Sequence, residues 1–195
     1  MKAFEFPSIV LASSSPRRRE LLAQLGVLHE VLPVDADETP QAGESPAQLV
    51  ARLARLKALE GRRRTAGQRP VLGADTVVAI DGIIFGKPVD ETDARRMLAA
   101  LSGRSHQVLT GVALALPDDG PVLAATSHTT VQMRLISAAE AQAYWASGEP
   151  QGKAGAYGIQ GRGAVFIEHI AGSYSGVMGL PLYETAALLQ ACASR

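Results

Sequence analysis

Two stretches hold residue types that core packing alone does not call for. Ser13-Ser14-Ser15-Pro16-Arg17-Arg18-Arg19 crowds hydroxyls and guanidinium groups between the apolar run Ile9-Val10-Leu11-Ala12 and Glu20-Leu21-Leu22-Ala23-Gln24-Leu25. That order reads as strand, turn, helix. Backbone N–H groups at a helix start lack intrahelical partners, and the helix dipole favours an anion there. Arginine adds a planar, permanently charged fork that fits phosphate oxygens. The turn is suited to a polyphosphate. Ser-Pro ahead of a helix is equally ordinary capping, with Pro at the first helical position, so these residues alone leave both readings open.

The second stretch is Pro70–Ile80, an apolar strand pattern interrupted by Asp75. A carboxylate there is costly to bury without a partner or a cleft. It reads as a base or metal ligand facing a phosphate site, or else as a strand-end aspartate bonding nearby amides. Glu38 offers a further oxygen ligand, and magnesium is typically held by one or two carboxylates plus substrate phosphates. Asp35 and Asp37 read as solvated turn acids. Lys57 and Lys87 are point charges suited to phosphate oxygens. Lys57 follows Leu53 by four residues, so it either snorkels from a buried stripe or reaches into a cleft. Pro88 pins the Lys87 backbone in extended form. His29, His106, His128 and His169 show no close metal-ligand spacing. Neither a Walker-type loop nor a dinucleotide glycine fingerprint occurs in the required context, and Arg62–Arg64 reads as a solvated loop.

The elements that must position these groups follow from patterning. A first strand over about Pro7–Ala12 feeds a helix from about Pro16 to Leu25, ended by Gly26. Ser45-Pro46-Ala47-Gln48 is a capping box, opening a helix with Leu49, Leu53 and Leu56 inward and a basic loop after it from Gly61 to Arg69. Asp81-Gly82 is a hairpin signal joining Pro70–Ile80 to Ile83–Phe85. A helix over Glu91–Leu101 turns Ala94, Met97, Leu98 and Leu101 inward. Ser105–Leu116 and Pro121–Leu135 alternate as antiparallel partners around Pro117–Gly120. Ser137-Ala138-Ala139-Glu140 is a second capping box, Ala164–Ile170 a last strand, and Pro181–Ala193 a terminal helix. Hairpins mixed with strand–helix units imply an α/β fold, a mixed sheet with helices around it.

Composition narrows the function classes. The 195 residues are 47% hydrophobic, enough for a globular core in one domain or two closely joined lobes. Lys plus Arg equals Asp plus Glu at 19 each, so positive charge is local and favours a small anion over a nucleic-acid polymer. A single cysteine excludes an intrachain disulfide and a cysteine metal cluster. No run is long enough for a membrane span, the N-terminus lacks a signal-peptide pattern, and a reducing cytoplasm is the simplest home.

In order along nearly the whole chain, LASSSPRRRELL, Asp37-Glu38, ESPAQLVARLARLKA, LGADTVV, GKP, LSGRSHQVLTGVAL, GEPQGKAGAYGIQG and GLPL resemble the Maf family of nucleoside triphosphate pyrophosphatases. The resemblance implies a long curved mixed sheet and a cleft between two lobes, all one catalytic domain over 1–195. It implies hydrolysis of a nucleoside triphosphate to monophosphate and pyrophosphate, assisted by a divalent metal, Mg2+ or Mn2+, for which Glu38 and Asp75 are the candidate ligands. Carried over by motif, Asp75 matches the proton acceptor. Ser13, Ser15, Arg17 and Arg18 match the triphosphate-binding turn, and Glu38, Lys57 and Lys87 the polar cleft residues. KAGAYGIQG resembles the dTTP- and UTP-hydrolysing branch, in which Arg17, Thr76 and Gln160 select the base. Gln160 offers one donor and one acceptor group for a pyrimidine's imide edge. Gly176 departs from the asparagine often found there in the family, and Arg55-Leu56-Lys57 lacks the acidic residue often found before the lysine. The competing readings are the same chemistry on a modified purine nucleotide such as 7-methyl-GTP, and a non-catalytic nucleotide-binding regulator of cell division. A homodimer is compatible with the sequence.

Overall fold

The computed structural model describes residues 5–194. In chain order its elements are β1 (Ile9–Leu11), α1 (Pro16–Gln24), β2 (His29–Val31), α2 (Pro46–Arg64), β3 (Val71–Ile80), β4 (Ile83–Phe85), α3 (Glu91–Leu101), β5 (Ser105–Ala115), β6 (Val122–Met133), α4 (Ala138–Ala146), β7 (Ile167–Ala171), α5 (Tyr174–Met178) and α6 (Leu182–Ala193). Short 3-10 turns at Ala154–Ala156 and Arg162–Phe166 precede β7. The strands form one seven-stranded mixed sheet in the order β2-β1-β3-β5-β6-β7, with β4 attached to β3.

One edge of β3 explains where the cleft opens. β5 covers the other edge continuously, from Val71 opposite Ala115 to Ala79 opposite Gln107. On the near edge, β1 pairs only with Val71 and Leu72, and β4 only with Val78, Ala79 and Ile80. Gly73–Val77 therefore has no strand neighbour on that side among the described residues. The Leu72 carbonyl accepts from the Ala12 N–H at 2.8 Å, so by strand alternation the backbone groups of Ala74 and Thr76 also point into the gap.

Side chains alternate across the sheet and build a lobe at each end of it. Leu72 and Ala74 join a core with Leu21 and Leu22 of α1 and Leu189 of α6. Val78 and Ile80 join a second core with Met97 and Leu98 of α3 and Tyr144 of α4. Thr76 lies on the same face between the two. The opposite face of β3 and β5 is covered by α2.

Both capping boxes form: Ser45 with Gln48, and Ser137 with Glu140. The Asp81-Gly82 turn has both central residues at positive φ, 51° and 76°, the geometry that suits a two-residue hairpin. Three expectations change. The basic segment beginning at Gly61 continues α2 through Arg64. Within it, Arg62 donates Nη1 to the Leu116 and Gly120 carbonyls at 3.1 and 2.7 Å, clamping the β5–β6 turn rather than facing solvent. The buried arc of α2 is centred on Val50, Lys57 and Gly61, because Ala54, Ala58 and Gly61 let that side approach the sheet. Leu56 thus falls past the rim at 40% exposure while Lys57 is buried. Finally, Ala164–Phe166 is 3-10 helix and the last strand starts at Ile167.

Candidate active site

A cavity of about 660 Å³ occupies the gap beside β3. Its walls come from the β1–α1 turn, the segment after β4, the Gly152–Gln160 loop and the end of α5. Ser13, Ser15, Arg17 and Arg18 line it, as do Glu38, Lys57, Asp75, Thr76, Lys87 and Gln160. Residues far apart in sequence, singled out by type and motif, thus share one chamber.

Asp75 and Thr76 divide its chemistry because adjacent strand residues face opposite sides. Asp75 faces α2, where Lys57 donates to its Oδ1 at 2.6 Å and to Glu38 Oε1 at 2.6 Å. Among the described residues the aspartate is therefore partnered by an ammonium, not by backbone amides. Lys57 reaches it because two glycines let α2 lie against the sheet. A Cβ on Gly73 would meet the Ala54 carbonyl oxygen at 2.3 Å, and one on Gly111, opposite Asp75, the Val50 carbonyl oxygen at 2.3 Å. Lys87 stands exposed, 3.9 Å from Glu38 Oε2. Burial pulls the Glu38 carboxyl up, but the Lys57 hydrogen bond and the charges of Lys57, Lys87 and Arg18 outweigh it and hold it below the ordinary glutamate range. Asp37 Oδ1 accepts from the Thr39 N–H at 3.0 Å, a local turn.

On the Thr76 side, the two arginines have different duties. Arg18 is a brace: it donates Nε to the Gly179 carbonyl at 2.8 Å, Nη1 to Ser13 Oγ at 3.2 Å and Nη2 to Thr76 Oγ1 at 3.3 Å. Thr76 Oγ1 also lies 2.9 Å from Thr110 Oγ1, which donates to the Gly176 carbonyl at 2.8 Å. Arg17 donates Nε to the Met178 carbonyl at 3.3 Å, leaving its Nη groups uncommitted among the described residues. Burial lowers both guanidinium pKa values, opposed by Glu20 for Arg17 and by Asp75 for Arg18. Both stay charged, since an arginine does not lose its proton in a protein. Ser15 is the N-cap of α1, yet its side chain makes no cap hydrogen bond. Its hydroxyl is thereby available to a ligand.

Two features escape a reading of the sequence. One is α5, a five-residue helix capped by Ser173 Oγ, which accepts from the Gly176 N–H at 2.9 Å. The carbonyls at its end hold Arg17 and Arg18, and nothing periodic announces so short an element. The other is Lys153, a half-buried cation lining the cavity. Burial and the neighbouring Arg17 charge lower its pKa, with Glu149 opposing them. Its signal was its place in KAGAYGIQG, beside Gln160.

The donor set fits a hard divalent cation. Glu38 and Asp75 turn carboxylate oxygens toward one nitrogen, each keeps a second oxygen, and substrate phosphates can supply further ligands. Among the described residues, no group of three or more His, Cys, Asp or Glu side chains forms a site by itself. No helix there is long and apolar enough to cross a membrane.

Residues 8–192 match the family model described as Maf-like protein. The chain is 55% identical over 192 residues to the dTTP/UTP pyrophosphatase of Bordetella parapertussis, covering 94% of this chain and 92% of that one. It is 56% identical over 185 residues to the dTTP/UTP pyrophosphatase of Chromobacterium violaceum, covering 93% and 92%. The protein of the same description from Pseudoalteromonas translucida is 54% identical over 183 residues, covering 94% and 96%.

Proposed function

The chain belongs to the Maf-like protein family, and from that premise we propose that it hydrolyses dTTP and UTP to the nucleoside monophosphate and pyrophosphate. The observation that carries the reading is near-full-length identity above one half with proteins described as dTTP/UTP pyrophosphatases. The cavity supports it by holding a carboxylate cluster on one side and arginine and lysine cations on the other.

Arg17, Lys87, Lys153 and the Ser13–Ser15 turn neutralise and orient the triphosphate. Asp75 accepts the proton of a water whose oxygen bonds to the α-phosphorus as the α–β phosphoanhydride bond breaks and pyrophosphate departs. Positioning and fixed charge carry most of such a rate enhancement. Glu38 and Asp75 would hold a divalent cation, which when bound would supply charge neutralisation at the phosphates. Gln160, with Arg17 and Thr76, reads the base: its amide pairs one donor and one acceptor with the imide edge shared by thymine and uracil.

The test is pyrophosphate release from dTTP, UTP, CTP, 7-methyl-GTP, dITP and the common purine nucleotides, with Mg2+, with Mn2+ and with chelator. Fast release from dTTP and UTP that chelator abolishes is the expected result. Release confined to another nucleotide overturns the substrate assignment, and undiminished release in chelator overturns the metal.

A further inference from the structure

Behind the Gln160 wall, one carboxylate organises the loop. Glu149 Oε1 accepts from the Tyr144 hydroxyl at 2.7 Å and from the Gly163 N–H at 3.0 Å, while Oε2 accepts from the Arg162 N–H at 2.7 Å. The Tyr144 hydroxyl in turn accepts from the Gly158 N–H at 3.0 Å. Gly158–Gly163 is thus gathered at both ends onto one Tyr–Glu pair, and Gln160 projects from its middle into the cavity. The carboxylate presses against Gly161 so closely that a Cβ there would lie 2.4 Å from Glu149 Oε1. The Glu149 backbone carbonyl also accepts from Lys153 Nζ, fixing the cation that neighbours Arg17. Burial pulls the Glu149 carboxyl up, but the Gly163, Tyr144 and Arg162 hydrogen bonds hold it below the ordinary range, so it is ionised near neutral pH.

We propose that Glu149 is a specificity-positioning residue, acting on base selection through the Gly158–Gly163 backbone and Gln160 without touching substrate. The proposal rests on the base-reading role given to Gln160 above. A hydrogen-bonding site rejects a mismatched base only while its donor and acceptor are held in register. Loosening the loop therefore erodes discrimination before it erodes turnover. Glu149→Gln is the sharp variant, because its amide nitrogen is a donor where the loop presents donors.

The experiment is a kinetic double-mutant cycle with UTP and CTP on wild type, Glu149→Gln, Gln160→Ala and the double variant, with thermal melts alongside. Glu149→Gln is expected to lower the UTP-over-CTP ratio of kcat/KM about tenfold, mainly through KM for UTP. The double variant should discriminate no worse than Gln160→Ala alone, the signature of two residues acting as one unit. Tyr144→Phe, a milder change to the same pair, should lower the ratio in the same direction and decides the matter if Glu149→Gln does not fold. Equal losses on both nucleotides, additive losses in the double variant, or a Gln160→Ala ratio unchanged from wild type each overturn the proposal. If wild type ranks other nucleotides first and last, the substrate assignment falls. The same cycle on that pair then decides the role of Glu149.

Discussion

The Lys57 ammonium lies 2.6 Å from an Asp75 carboxylate oxygen, with only 8% and 10% of the two side chains exposed. A helix residue reaches a strand residue so directly because Gly73 and Gly111, having no side chains of their own, let the α2 backbone come up against the sheet at those points. Glu38 completes a negative–positive–negative row at the same nitrogen. The row brings two carboxylates to the cavity wall, while Lys57 keeps their charges compatible.

Asp75→Asn separates chemistry from folding. The amide keeps the shape, and Lys57 keeps Glu38 as its partner, so the melting temperature should change little. An amide cannot take a proton, so kcat for the favoured nucleotide should fall about 10²–10⁴-fold. Steady-state pyrophosphate release beside a thermal melt checks this. Turnover within threefold of wild type would sink the assignment.

Lys57→Met leaves two carboxylates facing each other without a cation. Removing one partner of a buried pair costs about 3–5 kcal/mol; about half of Glu38 is exposed, which places the expected loss at the lower end. Millimolar Mg2+ should then raise the melting temperature of the variant more than that of wild type, since the ion takes the place of the missing charge. An equal response of both proteins in a melt series would count against a cation site at Glu38 and Asp75.

What the sequence made legible was what is chemically conspicuous or periodic. Asp75 stood out in an apolar strand, and the serine–arginine turn stood out between a strand and a helix. Ser45 with Gln48 and Ser137 with Glu140 announced helix starts, because capping boxes are local chemistry. The role proposed for Gln160 came from family resemblance, not from spacing. The rest depends on contacts across the fold. Arg62 looked like its neighbours Arg63 and Arg64, yet it alone of the three reaches the Leu116 and Gly120 carbonyls. Lys57 was ambiguous because its depth depends on which side of α2 the glycines admit. Glu149 stood in a matching motif, but nothing local announced what it does, since its partners are mainly backbone amides more than ten residues away.

Gly73→Ala tests how the Lys57–Asp75 contact is set. The new methyl would meet backbone atoms, the Ala54 oxygen at 2.3 Å and the Ala58 nitrogen at 2.6 Å, so α2 must lift as a body. Overpacking of this kind typically costs about 1–3 kcal/mol, and the lift draws Lys57 away from Asp75. Stability and kcat should fall together. Denaturant unfolding and kinetics on the same preparation check the coupling; a destabilised variant with normal kcat would show that the contact tolerates a displaced helix.

The buried His106 sets an acid limit on stability. Its Nε2 lies 2.8 Å from the Tyr157 hydroxyl, its Nδ1 has no partner among the described residues, and Tyr157 lines the cavity. Burial pushes the imidazole pKa down from 6.5 to about 4. The folded protein therefore holds a neutral ring across a range in which the unfolded chain binds a proton. Its contribution is fully present above the unfolded value of 6.5 and is lost as pH falls toward the folded value of about 4. At 1.36 kcal/mol per unit this amounts to about 3 kcal/mol over that window. His106→Phe removes the titration at the expense of the Tyr157 hydrogen bond. The variant should be less stable than wild type at pH 8 and should lose less stability between pH 7 and pH 4. Glu38, whose pKa is also depressed, acts lower: its contribution is present above the ordinary carboxylate range and fades as pH falls through its folded value. Denaturant midpoints at half-unit steps from pH 8 to pH 4 distinguish the two, and parallel curves for wild type and His106→Phe across pH 7 to 5 would refute a buried neutral imidazole.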